Sequence, residues 1–363
     1  MQGQTKEENA IQPPIDFVVL WVDGNDPAWQ KSRQNAMQDI LLTEPCEDKP
    51  EETTNGTDEN RFRDFGLMRY WFRGIEAFAP WVRYVWFVTN GQKPAWLNLS
   101  HPKLRFVTHA EYIPKEYLPT FNSNVIELFL HRLKGLSERF VLFNDDMFLV
   151  SKTTPGDFFG GKNFLPRESA LLDAVTAPNP RDCLAHMLIN NTAILNEHFD
   201  KRQVLRQNFG KFFTLRYRGE LMRNLLLAPF KQFSAFRDPH LPSSYLKSTF
   251  ETVWSLEGER LLTTGTHKFR SKQDYTHWLM KCWQICAGNT AVRSTAFGRH
   301  YELWENDLSE ICRGITQKKY RAVCINDSKT DLDFAHCQAE LQKSFAALLP
   351  RPSAYETDDI KHA

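Results

Sequence analysis

The sequence predicts an α/β fold: a largely parallel sheet with helical crossovers, followed by a mainly helical and partly basic region. Three observations carry this. Short apolar runs rich in β-branched and aromatic residues recur at 15–22, 81–89, 104–108 and 140–143. The segments between them have helical spacing, which implies crossovers between parallel strands. Beyond Pro155 the pattern changes, and residues 180–285 read mainly as helix.

The first run, IDFVVLWV, is nearly continuous in apolar residues, as a strand buried on both faces must be. Asp23, Gly24, Asn25, Asp26 and Pro27 then form a polar turn at its carboxyl end. Asp16 violates the run and is either an edge polar residue or a functional one. Residues 43–60 form a polar, acidic insertion. Over 65–78, Leu67, Tyr70, Trp71 and Ile75 share one helical face, with Arg69 and Arg73 four apart on another. The 81–89 run is closed by Asn90 and Gly91, a strong turn signal. A loop and a helix carrying Glu127, His131 and Arg132 lead into the 140–143 strand, which ends in Asn144, Asp145 and Asp146. The carboxyl edge of a sheet is where α/β enzymes place phosphate and metal chemistry. Adjacent acids repel and raise each other's pKa, and a bound divalent cation is a common reason for them. A turn after the strand is the structural alternative.

In 202–237, eight cations (Arg202, Arg206, Lys211, Arg216, Arg218, Arg223, Lys231 and Arg237) are interleaved with Phe209, Phe212, Phe213, Leu225, Leu226 and Phe230. This reads as an amphipathic helical pair with a solvated basic face, or as a docking surface for an anionic acceptor or the inner membrane face. The tail after Pro350 is polar and expected to fray. Over the 363 residues, 45 basic and 44 acidic side chains nearly cancel, so global charge gives no argument for nucleic acid. Aromatics at 13% exclude a disordered chain. Seven scattered cysteines without C-x-x-C spacing read as reduced thiols. A zinc site on Cys282 and Cys286 would lack obvious partners. No run reaches the ~18 apolar residues of a membrane span, and the first residues lack an apolar signal core. The expectation is a cytoplasmic enzyme, with peripheral contact at the inner membrane face as a refinement. The sequons at Asn55, Asn98, Asn190 and Asn326 are then incidental.

Four ordered blocks resemble the Stealth family of hexose-1-phosphate transferases, which includes bacterial capsule and exopolysaccharide enzymes and the catalytic subunit of the animal enzyme that tags lysosomal glycoproteins. They are IDFVVLWVDGNDPAW at 15–29; a long block from RFRDFGLMRYWF through VTHAEYIP to LFNDDMFL; HLPSSYLKSTFETVW with THKFRSKQD; and CINDSKTDLDFAHC through PRPSAYE. Residues 160–235 match only loosely, so acceptor recognition does not carry over.

The resemblance implies transfer of a sugar-1-phosphate, as N-acetylhexosamine-1-phosphate, from a UDP-sugar to a glycan or lipid-linked glycan hydroxyl, with release of UMP. UDP-N-acetylglucosamine is the first-choice donor. Asp145 and Asp146 are implied as ligands for magnesium or manganese and contacts for the diphosphate. Asp16, Asp23 and Gly24 match the opening motif and are assigned to the nucleotide or pyrophosphate, with turn structure as the alternative. Arg69 and Arg73 could fork onto phosphate oxygens or form surface ion pairs. Asn90 joins the donor-binding set. Arg270 matches a family basic position and is a phosphate clamp. Glu127 binds sugar hydroxyls or pairs with His131. His240 is the general base or a transition-state donor. Asn326 and Asp327 close the site from the C-terminal half, with capping as the alternative.

The expected organisation is a tail over 1–14, a Rossmann-like α/β core over 15–160, and a helical, acceptor-side subdomain over 161–260. Residues 261–349 complete the site, and 350–363 form the second tail. A metal-dependent glycosyltransferase releasing UDP is the enzymatic alternative. A non-catalytic polysaccharide-binding module is the other.

Overall fold

The computed structural model describes residues 12–43, 62–177, 182–304, 306–327 and 333–357. Most of the acidic insertion, with Cys46 and Asn55, lies outside the described residues.

The runs become strands. Strands β1 (Ile15–Leu20), β2 (Val85–Thr89), β3 (Leu104–Thr108) and β4 (Arg139–Phe143) pair in parallel in the spatial order β4-β1-β2-β3. In β1, Phe17 and Val19 point to one core cluster while Val18 points to another across the sheet. Both faces are therefore covered, which is why the run alternates nothing polar. Helix α1 (Pro27–Thr43) follows β1, and α2 (Met68–Phe78) packs Trp71, Phe72 and Ile75 on the Phe17 face. The opposite face carries Val125 and Leu128 of helix α3 (Ser123–Leu128). The helix expected to hold His131 and Arg132 instead breaks, and those two sit in a separate 3-10 turn, Leu130–Arg132.

Strand β5 (Met147–Leu149) follows β4 after three residues but belongs to a second sheet. There β7 (Gly298–Glu302) and β8 (Ala322–Asn326) are parallel, and β8 runs antiparallel to β5. Asn144, Asp145 and Asp146 thus form the hinge between two sheets, and the carboxyl ends of β4, β7 and β8 converge on it.

The helical expectation for 180–285 holds for helices α4 (Cys183–His198), α5 (Lys247–Thr266) and α6 (Trp278–Cys286). It fails at β6 (Ser243–Leu246), which adds antiparallel to β4 and extends the main sheet. The fold is α/β and Rossmann-like, but its edge strand comes from the stretch expected to be helical. The tail after Pro350 is also not frayed as far as residue 357: Tyr355 packs in the core, and Glu356 is held by Arg73. Six described cysteines are unpaired, Cys282 and Cys286 both buried in α6.

Candidate active site

A cavity of about 620 Å³ opens at the convergence of the two sheets. Its acid end is lined by Asp64, Asn144, Asp145, Asp146, Asp238, His240, His300, Glu302, Asn326 and Asp327. Its other end carries Ser123, Asn124, Glu127, Arg270, Thr276 and His277.

A chain of charges organises the acid end. The ammonium of Lys281, buried in α6, donates to Asp238 Oδ1. Asp238 Oδ2 lies 3.5 Å from His240 Nδ1, and His240 Nε2 lies 3.5 Å from Asp146 Oδ2. The Cys324 thiol donates to the same Asp146 oxygen at 3.1 Å. Burial opposes a charge on His240, but Cys324, Asp146 and Asp238 together raise its pKa well above the ordinary imidazole value. Burial likewise opposes ionisation of Asp146, yet His240 and the Cys324 hydrogen bond hold its carboxyl below the usual range. Asp238 is depressed as well: Lys281 and His240 outweigh its burial. His240 adopts φ +48°, a left-handed conformation uncommon for a side-chain-bearing residue and found mostly where the surroundings over-determine it.

Asp145 behaves oppositely. Its side chain is exposed on the cavity wall, yet desolvation by the surrounding protein, with the charges of Asp146 and Asp64, pushes its pKa up to about 8. Asp64 is raised too, first by burial. It accepts hydrogen bonds from Gly66 N at 2.6 Å and Trp21 Nε1 at 3.4 Å. On the far wall, Asn326 Nδ2 donates to both Glu302 oxygens at 3.0 Å, and His300 Nε2 lies 3.2 Å from Glu302. Asp327 pairs with Arg63 at 2.7 Å.

The residues present fit a divalent cation that keeps most of its ligands as water and substrate phosphate, the habit of magnesium. Asp146 Oδ1 is buried with no hydrogen-bond partner, an acceptor left for a ligand. Asp145 alongside has its ionisation opposed by burial and by the charges of Asp146 and Asp64, an opposition that an approaching cation would offset. The three-residue grouping with metal-ligand spacing among the described residues is Asp146, His240 and Cys324. His240 there is already committed to two carboxylates, and its sulfur and imidazole donors suit softer ions than magnesium.

The structure brings Asp145, Asp146, His240, Asn326 and Asp327 together at one end and Glu127 and Arg270 at the other, with Asn90 also on the wall. Glu127 does not pair with His131; its Oε2 lies 2.6 Å from His277 Nδ1, while His131 Nδ1 meets Leu128 O. Arg270 donates to Ser123 Oγ at 2.6 Å, and among the described residues no carboxylate is within ion-pair reach of it.

Three expectations need correction. Asp16 lies at the amino end of β1, far along the strand from the cavity edge, and is fully buried. Arg83 Nε donates to it at 2.7 Å, and Trp86 Nε1 and Ser137 N each donate at 2.9 Å. It has no capacity left for a nucleotide. Arg69 and Arg73 converge instead on Glu356, Arg73 through a two-pronged pair at 2.7 Å. They tie the C-terminal segment to α2. Asp23 and Gly24 shape the rim and do not line the cavity. Gln92 exchanges two 2.9 Å hydrogen bonds with the Asp23 backbone, and a Cβ on Gly24 would lie 1.9 Å from Phe62 O. Gly24 is required so that the Phe62–Asp64 wall can approach.

Sequence reasoning missed Asp64, Asp238, Lys281, His300 and Glu302. Asp238 stands two residues before His240, and His300 and Glu302 share a strand face by their spacing of two. Lys281, inside WLMKCWQIC, gives no signal of its role.

Residues 13–40 match the family model described as Stealth protein conserved region 1, and residues 61–165 match conserved region 2. The chain is 38% identical over 343 residues to the capsular polysaccharide phosphotransferase WcwK of Streptococcus pneumoniae, covering 94% of this chain and 98% of that one. It is 37% identical over 343 residues to the exopolysaccharide phosphotransferase cps2G of Lactiplantibacillus plantarum, covering 94% and 96%. With the receptor polysaccharide phosphotransferase WefC of Streptococcus gordonii it shares 38% identity over 343 residues, covering 94% and 98%. Matched over nearly its whole length by such relatives, and carrying both conserved regions around the cavity, the chain belongs to the Stealth family and is a phosphotransferase.

Proposed function

We propose that the chain transfers N-acetylhexosamine-1-phosphate from a UDP-sugar, UDP-N-acetylglucosamine first, to a glycan hydroxyl in capsular or exopolysaccharide synthesis. The acceptor oxygen attacks the sugar-side phosphorus. The bond from that phosphorus to the bridging oxygen breaks, UMP leaves, and the sugar C1–O bond is kept. The observation that supports this best is the Lys281–Asp238–His240–Asp146 chain facing the Asp145 carboxylate across one cavity.

Each group has a part. His240, held positive, suits a donor to the phosphoryl oxygens better than a free base, because charge builds on those oxygens during transfer. Asp145, on the cavity wall, would take the acceptor hydroxyl proton in its ionised form. Arg270 supplies a guanidinium fork for phosphate at the other end, and the Glu127–His277 pair offers hydrogen bonds to sugar hydroxyls. Asp145 and Asp146 would hold a magnesium or manganese ion, which when bound neutralises diphosphate charge. Localisation at the cytoplasmic side follows from the UDP-sugar and is part of the same proposal.

Chromatography of the nucleotide released from a panel of UDP-sugars, with a glycan acceptor present, tests the reading. UMP is the expected product; UDP would mean glycosyl transfer.

A further inference from the structure

The segment 209–230 presents apolar side chains to water that the rest of the fold does not cover. In the short helix Leu221–Leu227, Met222, Leu225 and Leu226 fall at positions i, i+3 and i+4, on one face, and are 57%, 50% and 67% exposed. The opposite face is fixed: Asn224 is buried, accepting from Leu172 N at 2.6 Å and donating to Ala170 O and Phe212 O. The outward face cannot rotate inward. Phe230, four residues past Leu226, and Phe209 are each 63% exposed. Isolated exposed leucines need no explanation, but Met222, Leu225 and Leu226 together on one helix face mark a contact surface.

The charge around it is one-sided. Residues 202–237 hold eight cations against one acid, Glu220. Arg223 and Arg237 are spent on Glu220 and Asp173. Arg202, Arg206, Arg216, Arg218 and Lys231 are exposed, and among the described residues none has a carboxylate within ion-pair reach. A second copy of this chain is a poor occupant, because a self-complementary interface would set these cations against their own counterparts. Exposed apolar side chains in a segment that also carries exposed, unpaired cations complement a surface with negative headgroups above a hydrocarbon layer.

We propose that this face docks on an anionic lipid bilayer, with Met222, Leu225, Leu226 and Phe230 entering the headgroup boundary and the unpaired cations over the headgroups. The placement is economical for the cavity. Arg223 reaches Asp173, and Asp173 and the neighbouring Ala174 line the cavity wall, so the docked face lies one side-chain layer from it. No helix among the described residues is long and apolar enough to cross a membrane, so contact here is surface contact. Docking is independent of the transfer reaction, and its test needs no turnover.

The test is co-sedimentation of the full chain with vesicles of phosphatidylcholine alone or with about one third phosphatidylglycerol. Binding is expected only to the anionic vesicles and is expected to weaken in high salt. The combined variant Leu225→Ser, Leu226→Ser, Phe230→Ser should lower the partition coefficient roughly tenfold or more with an unchanged melting temperature. Arg216→Glu with Arg218→Glu, both exposed side chains, should weaken binding independently. Absence of wild-type binding to anionic vesicles, or equal binding by both folded variants, overturns the proposal. Conversion of a wild-type dimer to a monomer by the serine variant also overturns it, since the face would then join two copies.

Discussion

Asp146 Oδ2 lies 3.5 Å from His240 Nε2, although the two residues come from different sheets' connections and are separated by most of the helical region. Asp146 sits in the hinge between β4 and β5. His240 precedes the edge strand β6, which runs antiparallel to β4. The pairing of β6 with β4 is therefore what delivers the imidazole to the acid turn, and Lys281 fixes its orientation through Asp238 from a third element, α6.

Removing the acid side of this pair should cost turnover and not folding. Asp146→Asn should lower kcat by roughly 100-fold or more. Its melting temperature should fall modestly, since His240 and Cys324 favour the ionised carboxyl in the folded protein, but the fold should persist because the residue fills no core. EDTA should mimic the substitution, and magnesium should restore wild type alone. Full activity of Asp146→Asn in EDTA would remove both the carboxylate and the cation from the reaction.

Lys281 acts through Asp238. Lys281→Met strands a buried carboxylate and should cost on the order of 3 kcal/mol of stability. Adding Asp238→Asn should recover most of that loss while kcat stays low, because His240 has lost the charge that holds it protonated. Recovery of activity along with stability would reduce the pair to scaffolding. Denaturant titration and the pH profile of kcat on the single and double variants separate the outcomes.

Asp16 should be structural. Asp16→Asn breaks a buried pair with Arg83 and should destabilise the fold by a few kcal/mol, on the order of 3. The KM for the donor should not change in protein that remains folded. A raised donor KM without loss of stability would return Asp16 to the binding site.

Stability should fall in acid partly through His131. Burial first, then the charge of Arg132, lowers its pKa to about 4, with its ring packed beside Phe250 and Trp254. A histidine whose folded pKa is depressed binds more protons when unfolded. Its contribution is intact above the ordinary value of about 6.5 and is lost as pH falls from there toward 4. His131→Gln should flatten the dependence of melting temperature on pH across that window. An unchanged slope would mean that other groups carry it.

The parallel strands were legible because burial on both faces leaves nearly unbroken apolar runs, and the span of β3 is as read. The run at 81–89 overshoots β2 because Val82 is buried and Trp81 half-buried by packing outside the ladder, Trp81 donating to Thr153 O. Burial and strand pairing look alike in one dimension. Strand β6 was hidden because SSYL at an edge needs no apolar run. Asp16 and Asp145 show the limit most clearly. Asp16 stands inside β1 at its amino end, where Arg83 saturates it, and Asp145 just past the carboxyl end of β4, where the cavity opens. Position along the strand separates them, and the residue type does not. Lys281 was not legible at all: within an apolar helix a lysine reads as its solvent face, and only the fold sets Asp238 against it.

The most direct measurement follows one oxygen. A UDP-N-acetylglucosamine donor carrying heavy-isotope oxygen between the sugar C1 and phosphorus is turned over with a glycan acceptor, and both products are weighed by mass spectrometry. Attack at phosphorus predicts the label in the glycan product, which also gains a phosphate, and none in the UMP released. Label recovered in UDP, with a phosphate-free product, would contradict the account.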